Sequence, residues 1–258
     1  ANPVTTTDIM GDNGYNTSNY TSTCNGTSSA TPIVTGVVAL MLQANSELGW
    51  RDVQHILVDS ASKVDINSTG WFTNAAGKEF NHDYGFGRID ADAAVTLAKE
   101  WTNVSSEKTF ANSESPGVEI PDSGNGSVTR TISIDQDIQI ESIEIPFISD
   151  HTYAGDLGIT LSSPGGTTVT ITESRDDNTS GINFTFSAKA FWGESSKGNW
   201  TLTITDEVED DTGILESWGI NVYGTPGVNY DDQLGRGSTI QYDEVTGQAS
   251  STYATAEA

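Results

Sequence analysis

The 258 residues predict two architectures in succession: a segment of one strand and three helices over residues 1–101 and an antiparallel β-sandwich over 104–224, with a linker or disordered tail at 225–258. Two observations carry this. A glycine turn at Gly26 runs into the apolar stretch Ile33–Leu42, and two further helical periods follow it. After Trp101 the helical period stops. Short β-rich runs then recur between Gly, Asn and Asp, the pattern of strands in a sandwich.

Val4–Ile9 reads as a strand, and Gly11–Asn25 as a polar loop without period. The helix behind Gly26 is apolar on every side, which predicts a core helix. Pro32 is expected within about its first turn, where a missing N–H costs least. Gly36 inside it predicts the close approach of another backbone. A second helix is expected over Ser46–Ala61, with Trp50, Val53, Ile56 and Leu57 on one face and His55 off that stripe. Asp90 is an N-cap for a third helix, Ala91–Glu100. The predicted strands are Val128–Ile132, Ile138–Pro146, Leu157–Leu161, Thr168–Ile171, Trp200–Thr205 and Trp218–Tyr223. Ser163-Pro164-Gly165-Gly166-Thr167 is a hairpin turn, and Asp122-Ser123-Gly124 is a further turn.

The stretch with chemistry is Asn25-Gly26-Thr27-Ser28-Ser29-Ala30-Thr31-Pro32. Asn25, Gly26 and Thr27 form a tight turn that leaves room for a substrate to approach. Ser28 follows at the helix N-terminus, where free N–H groups and the positive dipole end stabilise an oxyanion. Two readings suit this string: a nucleophilic serine, or a serine that caps a core helix. Cys24 stands four residues earlier and is the only cysteine, so no disulfide forms within the chain. It is expected to pack beneath the site or to pair with a cysteine outside the chain.

The net charge is −25 and the pI near 4.1. That excludes a general nucleic-acid binder, whose phosphate contacts need Lys and Arg. It suits a secreted protein in salty or calcium-bearing water, one that attracts basic peptides, or, equally, a surface whose acid residues only keep it soluble. No apolar run is expected to be long enough to span a bilayer, so no membrane partner is predicted. Ala1-Asn2-Pro3-Val4 reads as the interior of a protein and not as a leader.

Gly26-Thr27-Ser28-Ser29-Ala30-Thr31-Pro32 resembles the nucleophile motif of subtilisin-like serine proteases, Gly-Thr-Ser-x-Ala-x-Pro. Trp50-Arg51-Asp52-Val53-Gln54-His55 and Tyr84-Gly85-Phe86-Gly87-Arg88-Ile89-Asp90-Ala91 resemble segments of the kexin and furin branch. In the β half, five blocks in order look like the P domain that follows the catalytic domain there. They are His151–Leu157, Ser163–Thr167, Phe191–Glu194, Gly198–Leu202 and Asp211–Trp218. The resemblance implies the C-terminal part of a subtilisin-like α/β domain, then a jelly-roll-like all-β P domain. It also implies a secreted, bacterial serine endopeptidase acting on peptides or proteins, with basic residues near the cleaved bond.

In that family the triad runs Asp, His, Ser, with the histidine in a His-Gly motif. His55, His82 and His151 are followed by Ile, Asp and Thr. The resemblance therefore implies that Ser28 is the nucleophile and its own N–H an oxyanion donor. The Asp, the His and the N-terminal part of the catalytic domain then lie outside this chain. The other reading is an inert fragment whose P domain stabilises a fold or binds a partner. Asp206-Glu207-Val208-Glu209-Asp210-Asp211 crowds five carboxylates, which predicts a structural calcium ion or a solvated acidic loop; the resemblance to P domains implies Asp206 and Asp211 as the positions that would hold the ion.

Overall fold

The computed structural model describes residues 3–227, 239–242 and 249–252. It divides into two compact units, Ala1–Phe72 with Glu79–Val104, and Thr73–Lys78 with Ser105–Ala258.

The first unit opens with β1 (Val4–Thr7) and β2 (Tyr20–Cys24), which pair antiparallel. β2 lies inside the stretch expected to be loop; its Tyr-Thr-Ser-Thr-Cys sequence carries β propensity that the flanking Asn, Gly and Ser mask. Three helices follow: α1 (Thr27–Ala44), α2 (Trp50–Ser60) and α3 (Ala91–Glu100), with β3 (Phe72–Thr73) and β4 (Glu79–Phe80) between α2 and α3.

The small core of this unit is Val37 and Met41 of α1, Leu48, Ile56 of α2, and Ala94 and Ala98 of α3. The two alanines let α3 come close. α1 is not buried all round: Ile33, Leu40 and Leu42 are exposed, because the other helices cover only one side of it. Gly36 would meet nothing within 4 Å if it carried a Cβ, so no backbone approaches it among the described residues. Pro32 falls in the second turn, not the first. Its missing N–H leaves the Ser28 carbonyl without its helical partner. At 18 residues, α1 is also long and apolar enough by length and composition to cross a membrane. That differs from expectation, although core helices of soluble proteins pass the same test.

α2 starts at Trp50 because Gly49, in extended conformation, ends the preceding turn. Trp50 is 66% exposed and lies off the buried stripe. Asp90 caps α3 as expected, its carboxylate accepting from Ala93 N at 3.0 Å.

The second unit is a two-layer sandwich. Its strands are β5 (Lys108–Glu114), β6 (Val118–Ile120), β7 (Val128–Ile134), β8 (Ile138–Ser149), β9 (Leu157–Ser162), β10 (Thr168–Thr172), β11 (Ile182–Ala188), β12 (Gly198–Asp206) and β13 (Gly213–Pro226). One sheet has the order β10-β9-β12-β7; the other has β11-β8-β13-β5, with β6 also on β13. All the pairs are antiparallel. Alternation sets the core: Trp200, Leu202 and Ile204 of β12 point inward while Thr201, Thr203 and Thr205 point outward. Ile143, Ile145 and Phe147 of β8 face them from the other sheet.

Strands β5, β6 and β11 were not predicted. Lys-Thr-Phe-Ala-Asn-Ser-Glu in β5 is mostly polar, as suits an edge strand with one wet face. In the tail, β14 (Thr239–Tyr242) and β15 (Ala249–Thr252) pair antiparallel. The rest of the stretch expected as linker, from 228 onward, lies outside the described residues, as do Ala1 and Asn2.

Candidate functional site

Ser28 is the second residue of α1 and is exposed. The chain reaches it through Gly26, at φ 92° and ψ 176°, a region essentially reserved for glycine. A Cβ on Gly26 would meet nothing within 4 Å, so its conformation and not crowding demands a glycine there. The Gly26 carbonyl accepts from Ser29 N at 3.1 Å and Ala30 N at 3.3 Å, which winds the first turn. The amides of Thr27 and Ser28 precede the first intrahelical donor, so helix geometry gives them no acceptor. Asn25 and Thr27 flank the glycine and are exposed. Beneath the turn, Cys24 Sγ lies 2.8 Å from Ser29 Oγ, which also donates to Asn25 O at 3.1 Å. Cys24 is a half-buried free thiol that ties β2 to the start of α1.

The described contacts of the histidines are with residues other than Ser28. His55, half-buried on α2, has its ring 6.2 Å from that of Trp101. His82 sits against Phe72 and Phe80, with ring centres at 6.2 and 5.7 Å. His151 is fully buried in the second unit; its Nε2 meets Asp206 Oδ2 at 3.0 Å and its Nδ1 meets Tyr153 O at 2.8 Å. Among the described hydrogen bonds none joins an imidazole to Ser28.

Asp52 is a residue whose role the sequence did not disclose. It is 3% exposed, and its carboxylate accepts from Gly49 N at 2.7 Å, Trp101 Nε1 at 3.0 Å and Val104 N at 2.7 Å. It thus fixes the entry of α2 and the exit of α3 together. The signal was the Asp three residues after Gly49, the third position of a helix, which favours an acid.

The acidic loop is divided in the structure. Asp206 ends β12 fully buried, one oxygen on His151 and the other accepting from Val208 N at 3.2 Å. Asp211 accepts from the Thr152 hydroxyl at 2.6 Å. Glu207, Glu209 and Asp210 are exposed. Buried Asp156, not anticipated from sequence, completes the group. Burial first, then the charges of Asp206 and Asp211, hold its carboxyl above the usual carboxylate range, with His151 pulling the other way. Among the described residues no three of His, Cys, Asp or Glu are arranged to hold a metal ion. Asp206 and Asp211 do not form the ready-made pair of ligands that the loop sequence predicted, because each already accepts from a neighbouring side chain.

Comparison with known proteins matches residues 4–87 to the Subtilase family and residues 140–222 to the Proprotein convertase P-domain. Among similar relatives is the human proprotein convertase subtilisin/kexin type 6, 37% identical over 218 residues, covering 78% of this chain and 22% of the relative. Mouse furin is 33% identical, covering 78% of this chain and 26% of its own length. Protease KEX1 of Kluyveromyces lactis is 31% identical, covering 77% of this chain and 28% of its own length. The chain thus spans only 12–28% of the length of such curated relatives. Among solved structures, the Aeromonas sobria serine protease superposes with a TM-score of 0.72 at 26% identity. That match covers 80% of this chain and 45% of the other. In complex with its chaperone the same protease gives a TM-score of 0.74 at 25% identity, covering 81% of this chain and 45% of the other.

Proposed function

The chain belongs to the subtilase family, in its kexin and furin branch with a P domain, and we propose that it is the nucleophile-bearing part of a serine endopeptidase. Residues 1–101 are the C-terminal portion of the peptidase domain and 104–224 the P domain. The observation that supports this most is the turn at Gly26, which presents Ser28 in the exposed first turn of α1 beside amides to which the helix gives no acceptor.

The chemistry follows from that placement. Ser28 Oγ attacks the scissile carbonyl carbon, and its proton passes to a histidine supplied from outside this chain. The carbonyl oxygen gains the electron pair and is met by the Ser28 N–H at the positive end of α1. Collapse of the tetrahedral species expels the amine with the proton and leaves an acyl-Ser28 ester, which water then hydrolyses. The chain by itself lacks the base. The engagement of His55, His82 and His151 elsewhere supports a second statement, that residues 1–258 alone are inert.

Substrates are peptides or proteins. A preference for basic residues near the cleaved bond is supported by the net charge of −25, which concentrates cationic peptides. The proposed setting is extracellular and bacterial. A calcium ion near Asp206 and Asp211 is supported by the carboxylates crowded there, with buried Asp156 beside them, and binding it would require both Asp206 and Asp211 to give up their present side-chain hydrogen bonds. When bound, the ion would neutralise the charge of those carboxylates. The test of the main reading is peptide hydrolysis by residues 1–258 and by the parent protein carrying its upstream sequence, each with and without Ser28→Ala. Turnover by the parent alone, abolished by the substitution, is expected. Turnover by residues 1–258 that Ser28→Ala removes would contradict the assignment of the base to a missing segment.

A further inference from the structure

Residues 73–78 belong to the second unit although they lie within the stretch that matches the Subtilase family. They form a tight turn: Gly77 N donates to Asn74 O at 2.9 Å, Asn74 N donates to Lys78 O at 2.9 Å, and Gly77 takes φ 76°. Asn74 is only 4% exposed. Its Oδ1 accepts from Ala76 N at 3.0 Å and Lys78 N at 2.9 Å, which shapes the turn. Its Nδ2 donates to Ala190 O and to Trp192 O, both at 2.9 Å. A carboxamide has two donor hydrogens and two acceptor lone pairs, and all of them are used here.

The surface that receives the turn is made by two loops of the sandwich. The Ser163–Thr167 turn joins β9 to β10, and residues 189–194 follow β11. The second loop is fixed to β8 by Gly193 N donating to Ile140 O at 2.7 Å and Ile140 N donating to Glu194 O at 2.9 Å. Glu194 is 3% exposed. Its Oε1 accepts from Ala75 N at 3.1 Å, an N–H shared with Thr167 Oγ1 at 2.9 Å. Its Oε2 is buried with no hydrogen-bond partner.

Small residues make the fit. A Cβ on Gly165 would stand 2.5 Å from the Ala75 Cβ, and one on Gly193 would stand 3.2 Å from the Ala76 Cβ. A buried carboxylate and two inward carbonyls need donors. A turn of the form Asn-small-small-Gly supplies them in the right places.

We propose that the sandwich carries a built-in receptor for such a turn, and that residues 73–78 are its resident ligand. The site recognises the Asn carboxamide through the carbonyls of Ala190 and Trp192, and the next amide through Glu194 and Thr167. Gly165 and Gly193 admit nothing larger than alanine at the second and third positions. A sandwich cut from the chain at residue 104 therefore has this site empty. It then takes up an added turn peptide of the same pattern. The proposal is independent of any role for Ser28.

The experiment uses residues 1–258 and follows hydrogen exchange at the Ala75 amide. Asn74→Asp preserves shape and the bonds to Ala76 N and Lys78 N, but turns an acceptor toward two carbonyl oxygens. Exchange at Ala75 should accelerate by about 10- to 100-fold, the cost of leaving buried partners unpaired. Exchange at Ala76 and Lys78 should change less. Gly165→Ala leaves the Asn74 bonds in place but sets a Cβ 2.5 Å from the Ala75 Cβ and 3.4 Å from Glu194 Oε2, and should accelerate exchange by crowding, which keeps the test open if Asn74→Asp does not fold. In a chain with 73–78 replaced by Gly and Ser, the peptide Thr-Asn-Ala-Ala-Gly-Lys should raise the melting midpoint of the sandwich saturably. An unchanged Ala75 rate in both Asn74→Asp and Gly165→Ala would overturn the proposal. So would a peptide without effect on the melting midpoint.

Discussion

Replacing Glu114 should separate the contribution of a charge from that of a buried hydrogen bond in the sandwich. Glu114 ends β5 in one sheet. Its carboxylate takes Arg130 of β7, in the other sheet, through two bonds of 2.8 Å each, and accepts from the Trp218 indole N–H at 2.7 Å. Trp218 is 1% exposed, so its N–H has no ready access to water. The ion pair is partly wet, with side-chain exposures of 35% for Arg130 and 28% for Glu114. After screening it is worth about 0.5–1 kcal/mol. Orphaning the Trp218 donor costs roughly a further 1–3 kcal/mol. Glu114→Gln keeps an acceptor for Trp218 and should lose only the smaller figure. Glu114→Ala should lose both, about 2–4 kcal/mol, at roughly 4 °C of melting midpoint per kcal/mol for a domain of this size. The Arg130 guanidinium, and then the Trp218 indole, hold the Glu114 carboxyl below its usual range. The contribution is therefore complete above the unfolded value, about 4.3. It is lost as pH falls through the lower folded value. Thermal melts from pH 7 to pH 2, followed by tryptophan fluorescence, test this. The argument fails if Glu114→Ala melts with the wild type, or if Glu114→Gln is as damaging as Glu114→Ala.

Asp156→Asn should raise the melting midpoint of the sandwich at pH 7 in chelator. Asp156 is held above its usual range, so its favourable contribution is full below about pH 3.9 and lost as pH rises through the folded value. Saturating calcium should erase the advantage of the variant if the ion binds beside Asp156. Equal wild-type midpoints with calcium and with chelator would remove calcium from the account. Gly26→Ala in the parent protease should lower kcat. It asks alanine to hold φ 92°, a strain of about 1–3 kcal/mol that the turn relieves by moving Ser28; an unchanged kcat would show that the turn does not set the serine. The P-domain melt should be unaffected in that variant.

What could be read in the sequence, and what could not, follows from how local each cause is. The β-runs at 128, 138, 157, 168, 200 and 218 were visible because alternation and turn residues are local. β5, β6 and β11 escaped because their polar outer faces dilute the alternation, and only the neighbouring strands tell which side is buried. The start of α2 was set by Gly49 and the Asp52 carboxylate, which a hydrophobic stripe does not report. α1 read as a core helix from composition, and its exposed Ile33, Leu40 and Leu42 show that composition alone does not say what covers a helix. The Ser28 motif was the most legible feature, since a glycine turn before a helix start is spelled out in adjacent residues. The roles of Asp156, His151 and Asn74 were not legible. Their partners lie 50 or more residues away in sequence at Asp206, and 116 and 118 away at Ala190 and Trp192.

The central claim is that Ser28 is a nucleophile armed by residues outside this chain. The most direct measurement is fluorophosphonate labelling of the parent protease and of residues 1–258, with the modified residue located by peptide mass spectrometry. The account predicts labelling at Ser28 in the parent, none with Ser28→Ala, and none in residues 1–258, where no described hydrogen bond joins a histidine to Ser28 and activation needs a base within ~2.6–3.2 Å. Labelling of the parent at a serine other than Ser28, or of residues 1–258 at Ser28, would contradict it.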